Sequence, residues 1–179
     1  KRPEENAKVF TADGFFRTGD LGRIDEKRNL FYIERKKDLY KTSNGKYIAP
    51  NFLEGQILQD ELFSQVVTIG DKRNYVTALV VPDYKVLSEL MGEGAPTDPK
   101  ELAESDEAQR IVKEHINETL CEQADYEQVR RFVLLTEPFS IENGLLTSTM
   151  KIRRARIIER YTPEIDAMYG YSVDEKPEL

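Results

Sequence analysis

Two β-branched runs, residues 64–70 and 75–81, are separated only by Asp71-Lys72-Arg73-Asn74. A polar break that short leaves no room for a crossover, so the runs predict an antiparallel hairpin. The second run, Val76-Thr77-Ala78-Leu79-Val80-Val81, barely alternates with polar residues. Such a run predicts a strand covered on both faces.

The flanking sequence supplies candidates for that cover. Asn51-Phe52-Leu53-Glu54 has the spacing of a capping box and predicts a helix through Gln59. Pro82-Asp83 stops the second run, and residues 84–91 read as helical. Asp98-Pro99-Lys100-Glu101 opens a long amphipathic helix, with Ala108, Ile111, Val112, Ile116, Thr119 and Leu120 on one face. Residues 129–135 are a further strand candidate and 137–150 a long loop. A short basic helix is expected over 152–161, and Thr162-Pro163 opens a last one to about Met168. Upstream, residues 21–24 and 30–34 flank Asp25-Glu26-Lys27-Arg28-Asn29 and predict another hairpin, with Asn29 suited to a left-handed turn. Residues 46–49 read as a short strand and 1–12 as a polar surface lead-in. The sum is an α+β fold, a small antiparallel β-sheet flanked by helices, with a β-hairpin ahead of it.

Composition excludes some functions. The formal net charge of −7 argues against general nucleic-acid binding. One cysteine, Cys121, excludes an internal disulfide and suits a reducing, cytoplasmic setting. The longest apolar run is too short to span a bilayer, and no basic amphipathic anchor supports membrane contact. The chain opens at Lys1 in polar sequence, which reads as a piece of something longer.

Three stretches carry candidate chemistry. Residues 34–46 hold five Lys or Arg and a Gly, reading either as a solvated crossing or as a moving joint that meets an anion. Thr18-Gly19-Asp20 is either an ordinary turn or a carboxylate placed to accept hydrogen bonds from two adjacent hydroxyls, as on a ribose. Lys151, at the end of a long loop, can neutralise a phosphate and a carboxylate together. Its bland alternative is a solvated helix face shared with Arg153, Arg154, Arg156 and Arg160, opposite an apolar stripe of Ile152, Ala155 and Ile158. For the four arginines the solvated face is the expectation. His115 is expected in the core or at its boundary, and no metal-ligand spacing occurs.

Taken in order, Asp13-Gly14-Phe15-Phe16-x-Thr18-Gly19-Asp20, Arg35-Lys36-Lys37-Asp38, Gly45-Lys46-Tyr47-Ile48-Ala49-Pro50 and Glu142-Asn143-Gly144-Leu145-Leu146-Thr147-x-Thr149-x-Lys151 resemble the C-terminal end of an acyl-adenylate-forming, AMP-binding enzyme. The resemblance is greatest to long-chain fatty acid–CoA ligases. It implies a fatty acid activated by ATP to acyl-AMP and then passed to CoA. In that scheme Lys151 is the adenylation lysine, Asp20 holds the ribose hydroxyls and Arg35 supports the same ribose. Lys37 is the hinge, while Lys41 and Gly45 lie on the face used for thioester formation. Residues 1–36 would be the hairpin tail of a large N-terminal domain, and 37–179 a small mobile C-terminal cap. The cofactors implied are ATP, CoA and Mg2+, with the magnesium-binding Glu, the phosphate loop and the acyl pocket all upstream. The partners are the fatty acid, ATP, CoA and the chain's own N-terminal domain, and this chain alone is expected to be inactive. Glu34 departs from the Gly common before the Arg, and Asn29 from a frequent turn Gly. Two rivals remain: a fatty acyl-AMP ligase loading a carrier protein, and a non-catalytic cap-like binding module.

Overall fold

The computed structural model describes residues 3–170; residues 1–2 and 171–179, the ends of the two expected domains, lie outside it. Strands β5 (Phe63–Ile69) and β6 (Val76–Pro82) pair antiparallel from Phe63↔Pro82 to Ile69↔Thr77. Every residue of β6 is buried, as its unbroken apolar run requires. Strand β7 (Val129–Leu134) lies on the other side of β6 and runs parallel to it. The α+β class with helices flanking small sheets holds, but the three-stranded sheet is mixed rather than wholly antiparallel. The cause is the helical connection between β6 and β7, which carries the chain back to its starting end before the next strand.

The two-residue period of the strands sorts side chains into two cores. On one face Val66, Val76, Ala78 and Val80 meet Leu53, Ile57, Leu87, Val112, Ile116 and Leu120. These come from α2 (Pro50–Ile57), α3 (Tyr84–Met91), α5 (Asp106–Thr119) and the residue after α5. On the other face Val67, Ile69, Leu79 and Val81 meet Phe139, Leu145, Leu146, Ile157 and Ile165. The last two belong to α6 (Arg154–Arg160) and α7 (Thr162–Tyr169).

Local chemistry explains the helix ends. Asp83 caps α3 by accepting from the Lys85 and Val86 amides. Asp98 caps α4 (Pro99–Glu104), but the expected long helix is broken at Ser105, whose hydroxyl accepts from the Ala108 amide and starts α5 afresh. The capping box expected at Asn51 is absent. Ala49 is the N-cap with Pro50 in the first turn, and both Asn51 and Glu54 are engaged elsewhere.

The N-terminal part differs in three details. Residues Pro3–Val9 form a helix, α1, where a plain lead-in was expected. In the hairpin of β1 (Asp20–Ile24) and β2 (Leu30–Arg35), the left-handed residue is Arg28, φ 65°, not Asn29. Asn29 instead donates its backbone and side-chain amides to Asp25. The basic connector also folds further than expected: β3 (Tyr40–Lys41) pairs with β4 (Tyr47–Ile48).

That small hairpin packs on the main sheet through Tyr40. A Cβ built on Gly70 would lie 2.7 Å from Tyr40 Cε2, nearer than real Cβ atoms come. Gly70→Ala is therefore expected to lower stability by about 1–3 kcal/mol. A thermal midpoint equal to wild type would contradict the packing of Tyr40 at this point.

Candidate functional site

Antiparallel register sets Asp20 opposite Arg35, and Arg35 Nε lies 3.3 Å from Asp20 Oδ1. Gly19, φ 78°, turns the chain into β1, and its carbonyl accepts from the Lys36 amide at 2.8 Å. The Thr18 hydroxyl accepts from the Asp20 amide. Both charged side chains are partly exposed, so their pairing adds little to stability and leaves them accessible to a ligand. Thr18, Gly19, Arg35, Lys36 and Lys37 line a shallow hollow of about 320 Å³ beside the pair.

Lys37 also lines a much larger cleft, of about 1210 Å³, between the connector, the β5–β6 turn and α6. Lys72, Arg73, Lys151 and Arg154 are on its walls, against Asp38 and Asp71. Arg73 is paired with Asp166 and Arg154 with Glu54, so Lys37, Lys72 and Lys151 against Asp38 and Asp71 give the cleft a small excess of positive charge, which suits an anionic ligand. Lys151 reaches the cleft from a tight turn. The Thr147 amide donates to the Lys151 carbonyl at 2.8 Å, and the Lys151 amide donates to the Thr147 hydroxyl at 3.0 Å. Met150 takes φ 60° within the turn, and Leu146 bridges Ile152 at its base.

Lys37 and Lys151, far apart in the chain, thus share one cleft, and Arg35 lines the hollow that adjoins it. Lys41 and Gly45 line neither space. They sit on the β3–β4 hairpin, where Lys41 Nζ lies 5.5 Å from the Tyr47 ring centroid and Gly45, φ 79°, makes the turn beside the Lys41 stem. The Thr42 hydroxyl closes that turn by accepting from the Lys46 amide. The hairpin nevertheless borders the cleft: Tyr40 lines it and the Lys72 amide donates to the Lys41 carbonyl at 2.8 Å, while the Lys41 side chain is exposed and is not among the lining residues.

Two buried carboxylates were not foreseen. Glu54 on α2, 3% exposed, accepts from the Thr68 amide and hydroxyl and from both Arg154 guanidinium nitrogens, the latter at 2.8 Å each. Arg154 also donates to the Thr68 carbonyl at 2.9 Å. Burial alone lowers the Arg154 pKa, but the Glu54 hydrogen bonds and charge outweigh it and raise it, so the guanidinium stays charged. This corrects the solvated reading of Arg154 and of the apolar stripe. The inward face of α6 is Arg154, Ile157 and Tyr161, while Ile152 and Ala155 are exposed. Arg160 does stay at the surface, paired with Glu137 at 2.6 Å. The available signal was the 3–4 spacing of Arg154, Ile157, Ile158 and Tyr161, hidden by the charge on the first member.

Glu34, the residue that departs from a common Gly, is fully buried. It accepts from the Arg35 amide and from the Asn51 backbone and side-chain amides, binding β2 to the first turn of α2. A carboxylate also suits that position electrostatically. Glu34→Ala leaves three donors without their acceptor, with an expected loss of about 1–3 kcal/mol. An unshifted midpoint in chemical denaturation would show that the bonds contribute nothing net.

His115 lies at the core boundary, Nδ1 2.6 Å from Asp60 Oδ2. Cys121 is exposed and free. Among the described residues, His, Cys, Asp and Glu side chains form no group of three or more that could hold a metal ion, and no helix is long and apolar enough to cross a membrane.

The chain is 32% identical over 186 residues to fatty acyl-CoA synthetase A of Dictyostelium discoideum, with 100% of this chain and 28% of that protein covered. It is 34% identical over 176 residues to long-chain-fatty-acid–CoA ligase 1 of Schizosaccharomyces pombe, covering 94% of this chain and 26% of the relative. The chain therefore spans little more than a quarter of the length of these relatives. A solved structure, the A domain of carboxylic acid reductase from Segniliparus rugosus in complex with AMP and a co-purified carboxylic acid, superposes with a TM-score of 0.71 at 30% identity. That superposition covers 95% of this chain and 26% of that one. Residues 37–172 match the model of the AMP-binding enzyme C-terminal domain, and the chain belongs to that family.

Proposed function

We propose that this chain is the C-terminal part of an ATP-dependent long-chain fatty acid–CoA ligase. In the first step a fatty carboxylate oxygen attacks the α-phosphorus of ATP and the bond to pyrophosphate breaks, giving acyl-AMP. In the second the CoA sulfur attacks the acyl carbon, AMP leaves, and the thiol proton is lost. The observation that carries this reading is the convergence of Lys151 and Lys37 on one cation-lined cleft, beside the hollow that Arg35 lines.

Lys151 would lie against the oxygens on which negative charge accumulates as phosphate and carboxylate approach. Asp20 would accept hydrogen bonds from the ribose hydroxyls, with Arg35 holding the carboxylate in place. Lys37 would be the hinge, and turning there would exchange the Lys151 face for the Lys41 and Gly45 face before CoA attacks. That Lys151 lines the cleft while the neighbouring Lys41 and Gly45 do not supports such alternating use.

The proposed division puts residues 1–36 with a large N-terminal domain and 37–179 in the cap. Supporting it, Phe15 in the turn before the first hairpin and Ile24 and Leu30 on the hairpin are each about 70% exposed, an apolar surface suited to cover by that domain. The fatty acid pocket and the residues that hold Mg2+ belong to that domain in this reading, and the cap alone is inactive. The single free cysteine supports a reducing, cytoplasmic setting.

The test uses the full-length protein with ATP, magnesium and a C16 fatty acid, with and without CoA, identifying products by mass. Acyl-CoA formed only when CoA is present supports the reading. Acyl-AMP that accumulates and ignores CoA favours transfer to a carrier protein, and no adenylate at all contradicts the substrate class.

A further inference from the structure

We propose that Glu54 and Arg154 are positioning residues that hold the Lys151 turn in register for adenylation; this rests on the reading of Lys151 given above. Arg154 is the first residue of α6, three after Lys151. The helix start has no side-chain cap of its own, since Arg153 stands at the N-cap without such a bond. What anchors it is the Arg154 fork, with two bonds to Glu54 on α2 and one to the Thr68 carbonyl on β5. Between fork and lysine the chain is tied twice to the outgoing side of the loop, by the Leu146↔Ile152 bridge and by the Arg153 amide donating to the Leu145 carbonyl at 2.9 Å. A continuous hydrogen-bonded path therefore runs from the buried sheet to the backbone that carries Lys151.

Stability alone is a poor reason for this arrangement. Removing two charges from water offsets most of their attraction, and well-packed apolar side chains of similar size often serve as well. What a planar guanidinium on a carboxylate supplies, and apolar contacts do not, is direction: two parallel bonds fix both distance and rotation. Transfer between a phosphate and a carboxylate is sensitive to such placement, and a misplacement of about 1 Å costs on the order of 100-fold in rate.

The variants Arg154→Lys and Glu54→Gln in the full-length protein keep the volume while loosening the fork. Each is compared with Lys151→Ala in two assays: acyl-AMP formation from ATP and a C16 acid, and thioester formation from supplied acyl-AMP and CoA. A fall of about 100-fold in kcat for acyl-AMP formation, with thioester formation within a few-fold of wild type, is the expected result. A wild-type rate of acyl-AMP formation, or an equal fall in both steps, overturns the positioning role. If Lys151→Ala itself leaves acyl-AMP formation intact, the reading of Lys151 fails, and that outcome is distinct from failure of the fork. Should either single variant fold poorly, the double variant Glu54→Gln with Arg154→Gln removes both charges while keeping an acceptor for the Thr68 amide and hydroxyl and a donor for the Thr68 carbonyl. Recovered thermal stability with slow adenylation supports positioning, whereas recovery of both refutes it.

Discussion

Lys151→Ala in the full-length protein is expected to lower acyl-AMP formation by about 100- to 1000-fold, the usual effect of removing one preorganised charge from a transition state. Thioester formation from supplied acyl-AMP should stay within a few-fold of wild type. The asymmetry follows from placement. Lys151 lines the cleft, whereas the exposed side chain of Lys41, on the β3–β4 hairpin at its border, does not. If the cap presents these surfaces in turn, each lysine serves one step, so Lys41→Ala should show the reverse pattern. Separate assays of the two half-reactions check this. Equal loss of both steps in both variants would contradict the two-face assignment.

The second large effect concerns stability. Leu79 is fully buried at the centre of β6, facing the core formed with α6 and α7. Leu79→Ala removes most of that side chain and leaves a cavity between sheet and helices, at an expected cost of about 2–5 kcal/mol. Leu30, 75% exposed on β2, has almost no packing to lose, and Leu30→Ala should change the stability of this chain by less than about 0.5 kcal/mol. In the full-length protein the same Leu30 substitution should cost more, because the proposed large domain covers that hairpin. Denaturant titrations of both forms measure the difference. An effect of Leu30→Ala equal in the two would contradict assigning residues 1–36 to the large domain.

The β5–β6 hairpin was legible because a short polar break admits a single arrangement and an unbroken apolar run demands cover. The direction of β7 was not, since it depends on where the intervening helices return the chain. Capping patterns were half reliable. Asp98 caps its helix as its spacing predicts, but Asn51 and Glu54 carry the same kind of local signature and spend their hydrogen bonds on Glu34, Thr68 and Arg154. A local pattern cannot reveal that a distant donor competes for the same oxygen. Arg154 was misread for the related reason that arginine at a helix start is ordinarily solvated, and only the partner on α2 brings it inside. Motif order picked out the candidate site residues, while the shared cleft of Lys37 and Lys151, and the exclusion of Lys41 from its lining, required three dimensions.

In the proposed function one small domain serves two steps by turning at Lys37. In this structure Lys37 is the third residue of a turn closed by the Asp38 amide donating to the Arg35 carbonyl at 2.9 Å. Proline is disfavoured at that place, because it forces the preceding residue away from the helical region. Lys37→Pro should therefore bias the cap against this orientation without altering Lys151 or Lys41. The most direct measurement is the rate of each half-reaction in that variant of the full-length protein. One of the two is expected to fall at least about tenfold further than the other, a difference of about 1.4 kcal/mol between the two barriers. Equal rates, both unchanged or both reduced to the same degree, would contradict turning at Lys37.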